Sequence, residues 1–299
     1  MTRMDASARF LMCVPEHFAV TYAINPWMEP DRWSRDHRAL GAASRQEWRR
    51  LHRALKNLGA KIELVPPVPG LPDLVFTANA AVVIDGTALL ARFRHPERRA
   101  EEPHFRSVFE AMASRGLIDA VAELPADLVL EGAGDCVFDA TRNLFWLGFG
   151  PRSDLEACEA VEATFGLDTV ALELADARFY HMDTALCPLP GGEVVYLPEA
   201  FTAAGRAAIR DRVAPAQRIE ITIADAAELA ANAVAIADTL VMSGCSDRLR
   251  DTLRERGYRV VTTPLRAFLR SGGAAFCLTL RLDRCSSAAL DQVRDRAVA

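Results

Sequence analysis

Apolar positions along the chain switch repeatedly between two spacings. Residues 10–14 form a short continuous apolar run, the pattern of a buried strand. In 45–58 the period changes: Trp48, Leu51, Leu55 and Leu58 fall three and four apart on one helical face, with Ser44 placed as N-cap and Gly59 as the stop. Residues 61–65 read as a strand again. The alternation returns near the C-terminus, with strands predicted at 239–242 and 258–262, helices at 247–256 and 265–269, and a final strand at 277–282. Between these, 80–84 and 88–91 flank Asp85-Gly86, a hairpin turn signal. Residues 144–147 and 193–197 have the look of further hairpin halves. Hairpins mixed with single helices do not suit a purely parallel sheet. They suggest small β-rich units carrying one helix each, in an α/β or α+β class, although no strict sequence repeat is visible.

Composition narrows the function. The 299 residues carry a formal charge of −5, with basic and acidic side chains interspersed, which excludes the cationic footprint of a nucleic-acid binder. The most apolar long stretch, 226–242, is broken by Glu228, Asn232 and Asp238, so no membrane span is expected. The run at 10–14 follows Asp5 and is too brief for a signal-peptide core. Seven cysteines, an odd number with no C-x-x-C pair, argue against a disulfide framework and a zinc site. A reducing cytoplasm fits them, and no metal or cofactor is expected.

Five stretches set polar groups among turn residues and apolar sequence: the segment around Asn25-Pro26, Asp73 to Asn79, Glu131-Gly132-Ala133-Gly134-Asp135, His181-Met182-Asp183-Thr184, and Gly272-Gly273 leading to Cys277. Taken alone, Cys277 at the start of a strand also fits a small buried hydrophobe, the commoner fate of a free cysteine. His181 and Asp183 would share one face of a strand, where a carboxylate raises imidazole basicity, but a surface pair reads the same way. Glu131 and Asp135 sit at a glycine-rich turn after the apolar 128–130, which either presents a carboxylate into a cleft or uses it for backbone hydrogen bonds. The combination shifts the balance. A lone thiol, an imidazole and several carboxylates without metal-ligand spacing are the inventory of a thiol nucleophile acting on a cation, and a guanidinium matches carboxylates bidentately.

These segments, taken in order, resemble the guanidino-group-modifying superfamily of arginine deiminases, dimethylarginine dimethylaminohydrolases and amidinotransferases. The likeness is greatest to the arginine dihydrolase module that is fused to cyclodeaminase-like domains in cyanobacteria. The resemblance implies a five-bladed α/β propeller of ββαβ-type units, here one domain over 1–299. The chain ends soon after the catalytic strand, so no fused second domain is expected. It also implies roles. Cys277 attacks the guanidinium carbon, His181 is acid and base, and Glu131 and Asp183 grip the N–H groups. Asp73 and Asn79 bind those remaining, Arg98 pairs with the substrate α-carboxylate, and Asn25 lies in the binding segment. Two departures stand out: deiminases carry aspartate where Asn79 stands, and Phe276 replaces a polar or basic residue of many relatives. The implied reaction is hydrolysis of arginine through an amidino-cysteine, to ornithine in two rounds or citrulline in one. Dimethylarginine hydrolysis is the alternative, with an amidinotransferase or a non-catalytic ligand-binding propeller behind it. The expected partner is a small molecule, with no nucleic acid or membrane, and a homo-oligomer is allowed.

Overall fold

A computed structural model describes residues 8–291. It contains five three-stranded sheets of one design. In each, a central strand pairs antiparallel with one neighbour and parallel with the other, the parallel partner being reached through a helix. In the first sheet β1 (Arg9–Cys13) runs parallel to β2 (Lys61–Val65) after the helix Pro30–Asn57. The second has the hairpin β3 (Ala81–Ile84) and β4 (Thr87–Leu90), then the helix Glu101–Ser114 and β5 (Ala120–Ala122). The third comprises β6 (Cys136–Asp139), β7 (Leu144–Phe149), the helix Ala157–Phe165 and β8 (Thr169–Glu173). The fourth has β9 (Leu186–Pro188), β10 (Val194–Tyr196), the helix Ala203–Arg212 and β11 (Arg218–Glu220). The fifth has β12 (Val234–Ile236), β13 (Thr239–Met242), the helix Asp247–Glu255 and β14 (Arg259–Thr262). The last strand, β15 (Leu280–Arg281), returns to pair antiparallel with β1 and completes the first sheet.

Local chemistry fixes the units. Asp85 and Gly86 both take positive φ, 51° and 73°, as a two-residue hairpin turn with the right twist requires. Thr202 and Ser246 cap the helices of the fourth and fifth units by accepting from Gly205 and Leu249 N–H. Each long helix buries its apolar stripe against its own sheet. Phe105, Phe109 and Met112 join Val83, Ala88 and Leu90 in one cluster, and Leu249 and Leu253 join Leu240 and Met242 in another. A cavity of about 50 Å³ is lined by Val82, Val137, Leu186, Val234 and Leu280, one residue from an antiparallel outer strand of each sheet. Among the described residues no helix is long and apolar enough to cross a membrane.

Three local expectations are corrected. The first long helix starts at Pro30, so Ser44 is no N-cap; it lies buried in mid-helix with its hydroxyl donating to Gly41 O. The polar 30–44 stretch buries little beyond Trp33, which is why its periodicity is faint. The strand at 277–282 shrinks to Leu280–Arg281, because the N–H of Cys277 goes to the Asn232 side chain and that of Leu278 to Ala274 O, leaving neither for a ladder. His181 and Asp183 do not share a strand face. His181 has extended backbone and Asp183 lies in the one-turn helix Met182–Ala185 that it precedes, so the two side chains diverge.

Candidate active site

The turns leading into the outer strands converge. Asn79 lies just ahead of β3, Glu131 to Asp135 ahead of β6, His181 and Asp183 ahead of β9, Asn232 ahead of β12 and Cys277 ahead of β15. The side chains of Asn79, Glu131, Asp135, His181, Asp183, Asn232 and Cys277 are all buried, none more than 3% exposed. A small pocket is lined by Asn25, Asp73, Asn79, Arg98, Arg152, Tyr180, His181, Ser271 and Cys277. The larger cavity has an apolar wall for the most part, and Asp183 reaches it from beside the thiol.

Close backbone approach makes this packing possible. A Cβ on Gly134 would overlap the Asn79 Nδ2. Gly132, at φ +62°, would put a Cβ 2.7 Å from the backbone carbon of Asn79. Only glycine lets the two turns touch.

His181 Nε2 is 2.8 Å from Glu131 Oε2, which also accepts from Arg152 Nη1 at 2.9 Å; Oε1 accepts from Arg94 N–H. Burial alone would raise the Glu131 carboxyl, but the Arg152 guanidinium and His181 overcome it and hold Glu131 well below the usual carboxylate range. Both oxygens of Glu131 are therefore committed, and it faces the imidazole rather than the pocket. Asp135 fixes the same region, accepting from Ser153 Oγ at 2.6 Å and Met182 N–H at 3.1 Å. Burial pushes it up to about 6.

The Cys277 thiol is 3.0 Å from Asp183 Oδ2 and 3.0 Å from Asn232 Nδ2. Burial first, then the Asp183 charge and hydrogen bond, push the thiol well above its ordinary value. Burial also raises Asp183, to about 7, and its Oδ1 is buried without a partner.

Arg98 spends four of its five N–H groups inside the protein: two on Glu101 in a bidentate pair, one on Asn79 Oδ1 at 2.8 Å and one on Asp73 O. It is packed over the Phe93 ring, and one N–H remains for the pocket it lines. Asn79 Nδ2 donates to Glu131 O at 3.4 Å. Asp73 accepts from Tyr22 at 2.8 Å and from Ser271 at 3.4 Å. Asn25 Nδ2 donates to Ser271 O, tying the 22–28 segment to the Ser271-Gly272 turn that Tyr180 also holds. No group of three or more His, Cys, Asp or Glu among the described residues could hold a metal ion.

The eight residues singled out in the sequence thus gather around one pocket, with Glu131 and Asp183 behind its wall. Sequence reading missed Arg152 and Asn232. Arg152 comes from the loop after β7 and stacks on Tyr180 at 4.5 Å; no local motif marks it. Asn232 has a signal in retrospect, since it stands two residues before an outer strand, as Asn79 does.

A buried thiol held between a carboxylate and an amide, a carboxylate-held imidazole and a surplus of buried carboxylates give the site its chemical class, a set of groups suited to attack by cysteine on a cationic carbon. A family model described as eukaryotic N,N dimethylarginine dimethylhydrolase matches residues 14–284. ArgZ, the bifunctional arginine dihydrolase/ornithine cyclodeaminase of Synechocystis, is 43% identical over 279 residues, 93% of this chain and 38% of that protein. The N(G),N(G)-dimethylarginine dimethylaminohydrolase of Mycobacterium tuberculosis is 34% identical over 280 residues, 94% of this chain and 87% of that one. The crystal structure of the N-terminal domain of ArgZ, an Asn-to-Ser variant covalently bound to a reaction intermediate, superposes with a TM-score of 0.84 at 40% identity, covering 93% of this chain and 99% of that domain. The chain therefore belongs to the dimethylarginine dimethylaminohydrolase family of guanidino-modifying proteins. It spans well under half the length of the bifunctional relative.

Proposed function

We propose that the protein hydrolyses the guanidino group of arginine, releasing ammonia through a covalent amidino-Cys277 intermediate. One observation carries the reading. Asp183, behind the pocket wall, holds the buried thiol with one oxygen and leaves the other buried and unpartnered, so a cation drawn to the sulfur meets a carboxylate with an acceptor to spare. The buried carboxylates Asp73, Glu131, Asp135 and Asp183 outnumber the buried Arg152 and His181, Arg98 being paired with Glu101, which leaves an excess of negative charge for the substrate to offset.

The residue roles follow from these contacts. The arriving guanidinium compensates Asp183 and lowers the cost of ionising Cys277. The thiolate adds to the guanidinium carbon, and His181 delivers a proton to the departing nitrogen, which leaves as ammonia. His181 then takes a proton from water as it attacks the amidino carbon, and the sulfur departs. Glu131 orients the imidazole instead of gripping substrate, because its Oε2 is held between His181 Nε2 and Arg152 and its side chain does not line the pocket. Arg98 positions Asn79 and Asp73, with its one remaining N–H available to the α-carboxylate; Asn25 closes the binding segment. Asn79, with its second Nδ2 hydrogen left to donate to a ureido oxygen, suits a second round on the neutral ureido product, in which a second ammonia leaves, the carbon departs as carbon dioxide and ornithine remains.

A dimethylated nitrogen has no N–H for the free Asp183 oxygen, which favours unmethylated arginine over the dimethylarginine reading. The similarity to arginine dihydrolases supports the same choice. We further infer that the five sheets surround one axis as the blades of a propeller in a single domain, supported by their common order, by the cavity lined from all five and by the return of β15 to β1. The expectation for 1–299 extends at both ends beyond the described residues. The free cysteines suit a cytoplasmic protein, and a homo-oligomer is compatible with this reading. Incubation with arginine and, separately, with asymmetric dimethylarginine tests the substrate. Ornithine, carbon dioxide and two ammonia per arginine are expected; dimethylamine from the methylated compound with arginine untouched would overturn the proposal.

A further inference from the structure

The five converging turns supply an asparagine, a carboxylate pair, an imidazole with a carboxylate, and a thiol, but for Asn232 the proposed chemistry has no assignment. We propose that Asn232 is the positioning residue of the nucleophile, fixing the Cys277 sulfur and supplying the side-chain N–H that stabilises its ionised form. The inference rests on Cys277 being the nucleophile and is independent of which guanidino compound is the substrate.

Asn232 is fully buried. Its Oδ1 accepts from Cys277 N–H at 3.1 Å, and its Nδ2 donates to Asp183 O at 3.1 Å and to Cys277 Sγ at 3.0 Å. A backbone N–H can only donate and a backbone carbonyl only accept, so the amide has one permitted orientation. Its second Nδ2 hydrogen then faces the sulfur whatever the protonation state of the thiol. The Asn232 carbonyl also accepts from Phe276 N–H at 3.3 Å, so both backbone N–H groups leading into the sulfur are held by one residue. The loop is shaped for this. Leu229 takes φ +49°, a conformation a leucine rarely adopts, and Asn232 N–H closes onto its carbonyl.

The two groups on the sulfur oppose each other. Asp183 accepts the thiol proton and disfavours the anion, whereas Asn232 donates and favours it. When a cation reaches Asp183, the thiol proton is released to solvent and the Asn232 bond becomes charge-assisted.

The test is the pH dependence of Cys277 alkylation by iodoacetamide, resolved from the other six cysteines by peptide mass spectrometry, in Asn232→Ala and Asn232→Asp. Asp keeps the acceptor for Cys277 N–H and removes the donor. In both variants the alkylation midpoint should move up by about one pH unit, slowing labelling at fixed pH about tenfold. Turnover of arginine should lose kcat by a similar factor with KM little changed. A folded variant whose alkylation profile overlays the unaltered protein's would overturn the proposal, whatever happens to turnover. If neither variant folds, selective 15N-asparagine labelling of the unaltered protein decides. A side-chain amide signal that titrates together with Cys277 supports the proposal, and none that does so refutes it.

Discussion

Replacing Asp183 by asparagine should make Cys277 more reactive and the enzyme worse. The carboxylate oxygen lies 3.0 Å from the sulfur. At an effective dielectric near 20, two unit charges at that separation repel by about 5 kcal/mol. Much of this is not realised, because burial raises Asp183 to about 7 and the pair shares the cost by keeping one proton. Even a quarter of it is about tenfold in thiolate population at fixed pH. Asp183→Asn should therefore speed Cys277 alkylation by a neutral reagent at least tenfold at pH 8. Arginine turnover should fall, since the charge-assisted bonds to the guanidinium are gone, by roughly 10- to 100-fold for about 1.5–3 kcal/mol. The pH profile carries a second signature. A carboxyl raised to about 7 is charged above that pH and neutral below it, so in the unaltered protein arginine binding should weaken as pH falls through about 7. The variant should lose that acid limb. The assay pairs peptide-resolved iodoacetamide labelling with steady-state kinetics from pH 5.5 to about 9. Unchanged or slower labelling in a folded variant would refute the claim that Asp183 restrains the thiol.

Other perturbations bear on the remaining parts. Cys277→Ser should abolish turnover with the melting temperature nearly unchanged; activity within about tenfold of the unaltered protein would remove the nucleophile assignment. His181→Ala should cost about 10²–10⁴ in kcat, and an effect on KM alone would make it a binding residue. Gly134→Ala should displace Asn79, because the added methyl overlaps its Nδ2, lowering activity far more than stability as read by thermal unfolding beside kinetics. Asn79→Asp should let citrulline accumulate, because an ionised carboxylate cannot donate to a ureido oxygen; unchanged ornithine yield by mass spectrometry would contradict that role.

How much of this was visible in the chain varies with the physics involved. The hairpin at Asp85-Gly86 was legible because two consecutive left-handed residues leave a composition signature. Helices with a strong apolar stripe, such as Asp247–Glu255, were legible too, since burial of one face imposes a period. Pro30 to Ser44 was not, because that half of its helix is mostly solvated. No strand forms at Cys277, because a side chain remote in sequence, Asn232, takes the N–H a ladder would have used. For the site, turn residues amid apolar sequence exposed the segments, but not the division of labour. Glu131 looks like a substrate carboxylate until Arg94, Arg152 and His181 are seen to occupy it. Arg152 acts across the fold through contacts that leave no local spacing.

Acid quenching during turnover, followed by mass spectrometry of the Cys277 peptide, measures the central claim most directly. Arginine should leave an adduct equal in mass to arginine less ammonia, on that cysteine alone, and the adduct should vanish in Cys277→Ser. Dimethylarginine less dimethylamine has the same mass, so each compound is supplied separately. No adduct from arginine, or one on any other thiol, would contradict the account.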